Sequence, residues 1–211
     1  MKFYLSVKRV LDVLLAIILL IITLPIMIIA AIAIKIESEG PVLFVQERPG
    51  KDCKIFKLYK FRTMRVNTEH NGRVLSDRER VTRVGAFLRK ASIDELPQLF
   101  NIIRGDMSFI GPRPLLVKYL PYYTEEELKR HNLLPGITGW AQVNGRNNLN
   151  WEKRFKMDLE YVEKVSFLFD LKIFCLTIYK VFKRADIVID GMVDLDIERS
   201  EVEMERGILY E

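Results

Sequence analysis

The sequence predicts an α+β chain, mostly helical. It should hold an N-terminal re-entrant (helix–break–helix) membrane helix, a β-hairpin, and interfacial amphipathic helices around a small cytosolic domain. Three observations predict it. An uncharged apolar run, residues 13–34, carries Pro25 near its middle. Two apolar extended segments flank a Pro-Gly turn at residues 48–52. The remainder, out to residue 185, alternates helical periodicity with Gly/Pro punctuation. The expected regions are 1–36, 37–185 and an acidic tail, 186–211.

The apolar run comes first. About 20 apolar residues suffice to span a bilayer core. Proline inside a helix removes one backbone hydrogen bond and crowds the carbonyl four residues back, here that of Ile21. Each half is then roughly 15–18 Å long at about 1.5 Å per residue, enough to reach the midplane of a roughly 30 Å core. Lys2, Lys8 and Arg9 precede the run, and Lys35, Arg48, Lys51 and Lys54 follow it. Positive charge at both ends suits a segment whose ends face one anionic surface. A straight single-pass anchor shares these residues. So does a secretory signal with Ala31-Ile32-Ala33 as its cleavage site, although this apolar core exceeds the usual ~7–15 residues. Asp12 lies four after Lys8 and three after Arg9, the spacing of a helical ion pair.

Beyond Gly40-Pro41, residues 42–45 and 55–61 read as the hairpin strands. Residues 65–80 are polar and read as a mobile loop. Segments 81–90, 94–104, 116–123, 125–132, 150–165 and 166–185 read as helices, with 111–114 a stiff proline-flanked segment and 135–148 a Gly/Asn-rich loop. Segment 166–185 mixes aromatics with Lys172, Lys180, Lys183 and Arg184, a pattern shared by interfacial helices and core helices.

Composition narrows the chemistry. The net charge of +5 beside a membrane segment points to lipid headgroups or phosphorylated substrates, and no nucleic-acid-binding motif is present. Cys53 and Cys175 lie far apart, which argues for a reducing compartment and against a cysteine metal site. His70 and His131 are isolated, so a zinc site or a histidine-based triad is not expected. Neither a P-loop nor a dinucleotide fingerprint occurs.

Asp94 and Glu95 sit side by side at an expected helix start. From these residues alone, capping is the more economical reading: Ser92 and Glu95 match a capping box, and Asp94 as N-cap would put Pro97 in the first turn. The same place suits phosphate chemistry, because a helix N-terminus attracts anions. Lys60, Arg62, Arg83, Arg89, Arg104, Arg113 and Arg146 are the candidate cations. Arg113 lies between Pro112 and Pro114, whose locked backbone would present a guanidinium fork to phosphate. Gln142 and Arg146 occupy a loop able to hydrogen-bond a base, ribose or sugar. Asp194 and Asp196 match a metal-binding D-x-D pattern, but in an acidic tail with no nucleotide-binding unit before it they read as surface charge.

Together the motifs resemble the bacterial sugar transferases, specifically the small monotopic phosphoglycosyl transferases. The stretches are Lys8-Arg9 with Asp12, Arg48-Pro49-Gly50, residues 57–64, 92–101, 105–114 and 135–147, in order over residues 1–185. The resemblance implies transfer of a phospho-sugar from a UDP-sugar to a polyprenol phosphate, undecaprenyl phosphate above all, with release of UMP. It implies a ping-pong route with Asp94 as nucleophile, Glu95 assisting metal or proton handling, and Mg²⁺ near Asp94. Lys60, Arg62, Arg89, Pro112, Arg113, Gln142 and Arg146 would bind substrate. The Pro25 break would match the family's re-entrant helix, seated in the bacterial inner membrane with the domain facing the cytoplasm. Membrane lipids, a second copy of the chain and downstream glycosyltransferases are the expected partners. One departure is visible: the family commonly has serine before the membrane proline, where this chain has Leu24, with Thr23 positioned to bond a carbonyl freed at the break. The rival from another class is a non-catalytic, membrane-anchored headgroup-binding scaffold.

Overall fold

The computed structural model describes residues 2–70, 73–145, 149–183 and 194–205. Helix α1 (Lys2–Glu37) is followed by strands β1 (Leu43–Pro49) and β2 (Ile55–Phe61), which pair into a two-stranded sheet. Then come the short strands β3 (Glu69–His70) and β4 (Arg73–Val74), helices α2 (Asp77–Arg80), α3 (Arg83–Lys90) and α4 (Gln98–Arg104), and strand β5 (Ser108–Ile110). Helix α5 (Glu125–Leu128), strand β6 (Gly136–Thr138) and helices α6 (Trp140–Val143), α7 (Trp151–Lys164), α8 (Phe167–Lys183) and α9 (Leu195–Glu205) complete the order. The chain divides into two compact units. One comprises residues 10–46 and 57–105, the other 1–9, 47–56 and 106–205.

In the first unit α1 runs unbroken through Pro25. The expected division into two helices is not seen; one lost hydrogen bond does not end a helix whose flanking turns are all aliphatic. Thr23 Oγ1 donates to Leu19 O at 2.7 Å, its own i−4 carbonyl and not the one freed by Pro25. Met27, Ala30 and Ile34, spaced three and four apart, form one buried stripe with Phe61 and Leu88, and Ile93 and Leu96 pack against it. Asp12 and Ala16 are also buried, but much of α1 is exposed, including eleven large aliphatic side chains between Leu14 and Ile32. At about 1–2 kcal/mol each on leaving water, these favour lipid by roughly 10 kcal/mol or more.

The end of α1 is clamped twice. The Glu37 carboxylate accepts from the backbone N–H groups of Arg83 and Val84, both at 2.8 Å, so it caps α3. Thr82 completes that cap by accepting from Gly85 N at 2.9 Å. Partial burial raises the Glu37 pKa, but the bonds from Val84, Thr82 and Arg83 outweigh it and the net shift is downward. Segment 65–80, expected as a loop, contains the β3–β4 pairing and α2, which carries a Ser76–Glu79 capping box.

In the second unit, β5 and β6 form a parallel pair with Ser108 opposite Gly136 and Ile110 opposite Thr138. β6 and α6 fall where the sequence suggested a Gly/Asn-rich loop, and β5 just ahead of the proline-flanked segment, where no element was expected. Leu133, Trp140, Val143, Tyr161, Ile173 and Leu176 pack around Ile110 as one core. A second core joins Leu115, Tyr119, Tyr123, Trp151 and Phe155. It also includes Leu195 of α9, fully buried in what was expected to be a polar tail.

Helix α8 has two faces. Asp170 and Ile173 are buried, whereas Phe167, Leu168, Leu171, Phe174, Ile178 and Tyr179 are exposed along one stripe. Lys8 pairs with Asp170 at 2.7 Å instead of making only the local pairing with Asp12 that its spacing suggested. Tyr4 and Tyr161 also donate to Asp170, at 2.6 and 2.7 Å.

Candidate active site

Asp94 and Glu95 lie in a 3-10 turn, Ile93–Glu95, ahead of α4. Ile93 and Leu96 pack on the α1 cluster, while both carboxylates remain half-buried. The capping expectation is overturned. Ser92 makes no side-chain cap bond and stands in the left-handed region, φ 56°, and the N-cap of α4 is Pro97. The Glu95 Oε1 instead accepts from Lys60 Nζ at 2.7 Å, with both side chains 21% exposed. A partly screened ammonium beside adjacent carboxylates offsets their mutual repulsion.

Lys60 is held there by a residue that sequence reasoning passed over. Asn101 is fully buried; its Oδ1 accepts from Tyr59 N at 3.1 Å and its Nδ2 donates to Lys57 O at 2.7 Å. The side chain thus substitutes for a neighbouring strand along β2. A buried amide within an apolar helical run was the available signal. Arg89 is exposed and donates from Nε to Thr63 Oγ1 at 2.8 Å. Its helix approaches so closely because Gly85 has no side chain: a Cβ there would lie 2.1 Å from Thr63 O.

Arg62 is placed differently from its expected substrate role. It is 6% exposed and donates to the carbonyls of Ser38, at 2.9 Å, and Glu39. It therefore braces the chain just past α1, where helix carbonyls lack partners. Burial lowers its pKa.

The second unit carries Pro112, Arg113 and Gln142; Arg146 lies outside the described residues. Gly111 N donates to Thr138 O and Gly136 N to Pro112 O, both at 3.0 Å. This double clasp needs glycine, since a Cβ on Gly136 would sit 2.1 Å from Gly111 N. Pro112 and Pro114 are buried and Arg113 is exposed. The Arg113 carbonyl accepts from Arg130 Nη2 at 2.7 Å. Arg130, fully buried, also donates from Nη2 and Nε to Asp158 Oδ2, at 2.7 and 3.1 Å. Asp158's attraction outweighs the burial that would lower the Arg130 pKa, so the guanidinium stays charged.

Arg48 is lowered to about 10, first by burial and then by the like charge of Arg113. Burial also lowers Arg154, with Asp158 opposing and Arg113 and Arg130 adding to the effect. Arginines that perturb one another in this way create a field suited to phosphate. On α6, Gln142 donates weakly to Ile137 O at 3.4 Å, and its buried Oε1 has no hydrogen-bond partner among the described residues.

No group of three histidine, cysteine or acidic side chains converges among the described residues. Adjacent Asp94 and Glu95 still fit a hard cation such as Mg²⁺, which binds through one or two carboxylates and takes its other oxygens from water and phosphate. Asp194 and Asp196 instead flank Lys118, at 2.8 and 2.9 Å.

The bacterial sugar transferase family model matches residues 3–184. The chain is 51% identical over 174 residues to the uncharacterized sugar transferase EpsL of Bacillus subtilis, covering 82% of this chain and 86% of that protein. It is 44% identical over 185 residues to the UDP-glucose:undecaprenyl-phosphate glucose-1-phosphate transferase of Escherichia coli. It is 43% identical over 183 residues to the UDP-N-acetylgalactosamine-undecaprenyl-phosphate N-acetylgalactosaminephosphotransferase of Aeromonas hydrophila. Each of these two alignments covers 83% of this chain but only 40% and 43% of the respective relative.

Proposed function

The chain belongs to the bacterial sugar transferase family, and from that premise we propose that it moves a phospho-sugar from a UDP-sugar to a polyprenol phosphate, undecaprenyl phosphate in the first instance, releasing UMP. The observation that carries this reading is the Ile93–Glu95 turn, with Glu95 paired to Lys60 and its apolar neighbours seated on α1. That arrangement sets a carboxylate beside the helix that enters the lipid.

In the proposed ping-pong route, an Asp94 carboxylate oxygen attacks the β-phosphorus of the UDP-sugar. The bond from that phosphorus to the bridging oxygen breaks, and UMP leaves with the electron pair. An oxygen of the polyprenol phosphate then attacks the same phosphorus. The bond to Asp94 breaks, the carboxylate is regenerated, and a lipid-linked diphosphate sugar results. Splitting the transfer in two avoids crowding two anionic substrates at one phosphorus. Mg²⁺ held at Asp94 would offset charge on the phosphate oxygens. Lys60 pairs with the Glu95 carboxylate and fixes its position. In the first unit Arg89 supplies a further cation; in the second, Arg113, with Arg48 and Arg154 in its field, is the candidate for gripping phosphate oxygens. Arg62 acts through the end of α1 and does not touch substrate.

Membrane seating follows from both ends of α1. Tyr4 and Lys8 bond Asp170, and Glu37 caps α3. Among the described residues no second helix is long and apolar enough to cross a membrane. Entry and exit through one face would require α1, continuous through Pro25 here, to bend at that proline once in the bilayer. The exposed apolar stripe of α8, beside Lys172, Lys180 and Lys183, would lie in the headgroup layer. The free thiols Cys53 and Cys175 suit the cytoplasmic side of a bacterial inner membrane.

The scaffold alternative loses its main support once Ser92 and Glu95 are seen not to cap. UMP release from a panel of UDP-sugars, with Mg²⁺ and undecaprenyl phosphate, tests the proposal. Asp94→Asn is expected to reduce release at least 10³-fold while the protein still folds and enters membranes. Undiminished release would remove Asp94 as nucleophile.

A further inference from the structure

Helix α9 lies past residue 184, where the family match ends, yet it docks into the second unit through three kinds of contact. Leu195 is fully buried among Leu115, Tyr119, Tyr123, Trp151 and Phe155. Asp194 and Asp196 flank Lys118 at 2.8 and 2.9 Å. Arg199 grips the Glu127 carboxylate with both terminal nitrogens, at 2.8 and 2.5 Å, and also donates to the Tyr122 carbonyl. An apolar plug between two ion pairs of opposite polarity fixes direction and register, since reversing the segment would set like charges together.

What α9 grips is the chain that continues directly from Arg113. Leu115 is two residues on, and Lys118 and Tyr122 lie in the 3-10 segment Val117–Tyr122. The Arg199 guanidinium also lies over the Phe155 ring, 5.6 Å from its centroid, and the Arg130 guanidinium lies 5.8 Å from the same centroid. Arg130 holds the Arg113 carbonyl. Two routes, one along the chain and one through Phe155 and Arg130, thus connect α9 to the backbone of Arg113.

We propose that residues 194–199 form an internal clasp that positions the Arg113 loop for binding of the nucleotide-sugar diphosphate. Leu195, Lys118 and Arg199 are positioning residues, for they reach the substrate only through Arg113. The activity arm of this inference rests on the transferase reading; the backbone arm does not.

The test uses the full chain in detergent or nanodiscs. Leu195→Asp and Lys118→Glu are each expected to raise the KM for UDP-sugar at least fivefold with kcat within about twofold, and to speed amide hydrogen exchange at residues 111–120. The double variant Lys118→Glu/Asp194→Lys should recover at least half of both effects, which a general loss of packing would not. Unchanged KM and exchange in Lys118→Glu, alongside UMP release by the unaltered chain, would overturn the clasp. A matched loss of kcat with no recovery in the double variant would also overturn it. If the unaltered chain released no UMP while exchange still responded and recovered, the transferase reading would fail and the clasp would stand.

Discussion

Ser92 stands at φ 56°, a conformation that non-glycine residues hold at a cost of about 1–2 kcal/mol, immediately before the Asp94 turn. This residue separates α3 from the turn whose Ile93 and Leu96 pack on the α1 cluster and whose Glu95 pairs with Lys60. Burial of polar groups marks the other residues that matter. His131 is 5% exposed, with its Nδ1 3.0 Å from Gly50 O at the hairpin tip. Burial, and then the Arg130 charge, push its pKa down to about 4 from an ordinary 6.5. Between those two values the unfolded chain takes up a proton that the folded chain refuses, so stability falls as pH drops through this window and levels off below about 4. Unfolding by urea should show about 2 kcal/mol less stability at pH 5 than at pH 7 from this residue. That share should be absent in His131→Gln; an identical pH dependence in both proteins would contradict it.

At the scale of elements, the junction between α1 and the domain behind it turns on Arg62 and Glu37. Arg62→Met would leave the Ser38 and Glu39 carbonyls without their donor, with an expected loss of about 2–3 kcal/mol. Thermal unfolding in detergent measures it; a change below about 0.5 kcal/mol would show that water replaces the guanidinium. Much at this scale was legible beforehand. The apolar run, the hairpin around Pro49-Gly50, and α3, α4, α7 and α8 each carry a hydrophobic period or turn signal of their own. The adjacent carboxylates and proline-flanked Arg113 stand out as candidates for the same reason, because their chemistry is local. What escaped depended on distant partners. β5 and β6 are three residues each and pair across 25 intervening residues, so no local pattern marks them. Arg62 looked like a phosphate ligand because nothing near it in sequence reveals the open carbonyls it satisfies. Leu195 sat in a polar tail, and only its pocket of aromatics identifies it as core. The helix continues through Pro25 because aliphatic turns on either side hold it, which the loss of one hydrogen bond at the proline does not by itself reveal.

For the molecule as a whole, the account joins a lipid-seeking helix to a phosphate-handling domain. The topology half predicts that single cysteines at residues 3 and 39, in a background lacking Cys53 and Cys175, are both modified by a membrane-impermeant maleimide from the cytoplasmic side of inverted vesicles. Modification of the two from opposite sides would mean a spanning helix. The chemical half turns on Asp94, and one measurement reaches it most directly. Protein incubated with its UDP-sugar and Mg²⁺ but no polyprenol phosphate is quenched in acid, and intact and peptide masses are recorded. The account predicts a gain equal to one phospho-sugar, confined to the peptide containing Asp94 and discharged on adding undecaprenyl phosphate. An adduct on another residue, or none from a preparation that turns over when both substrates are present, would contradict it.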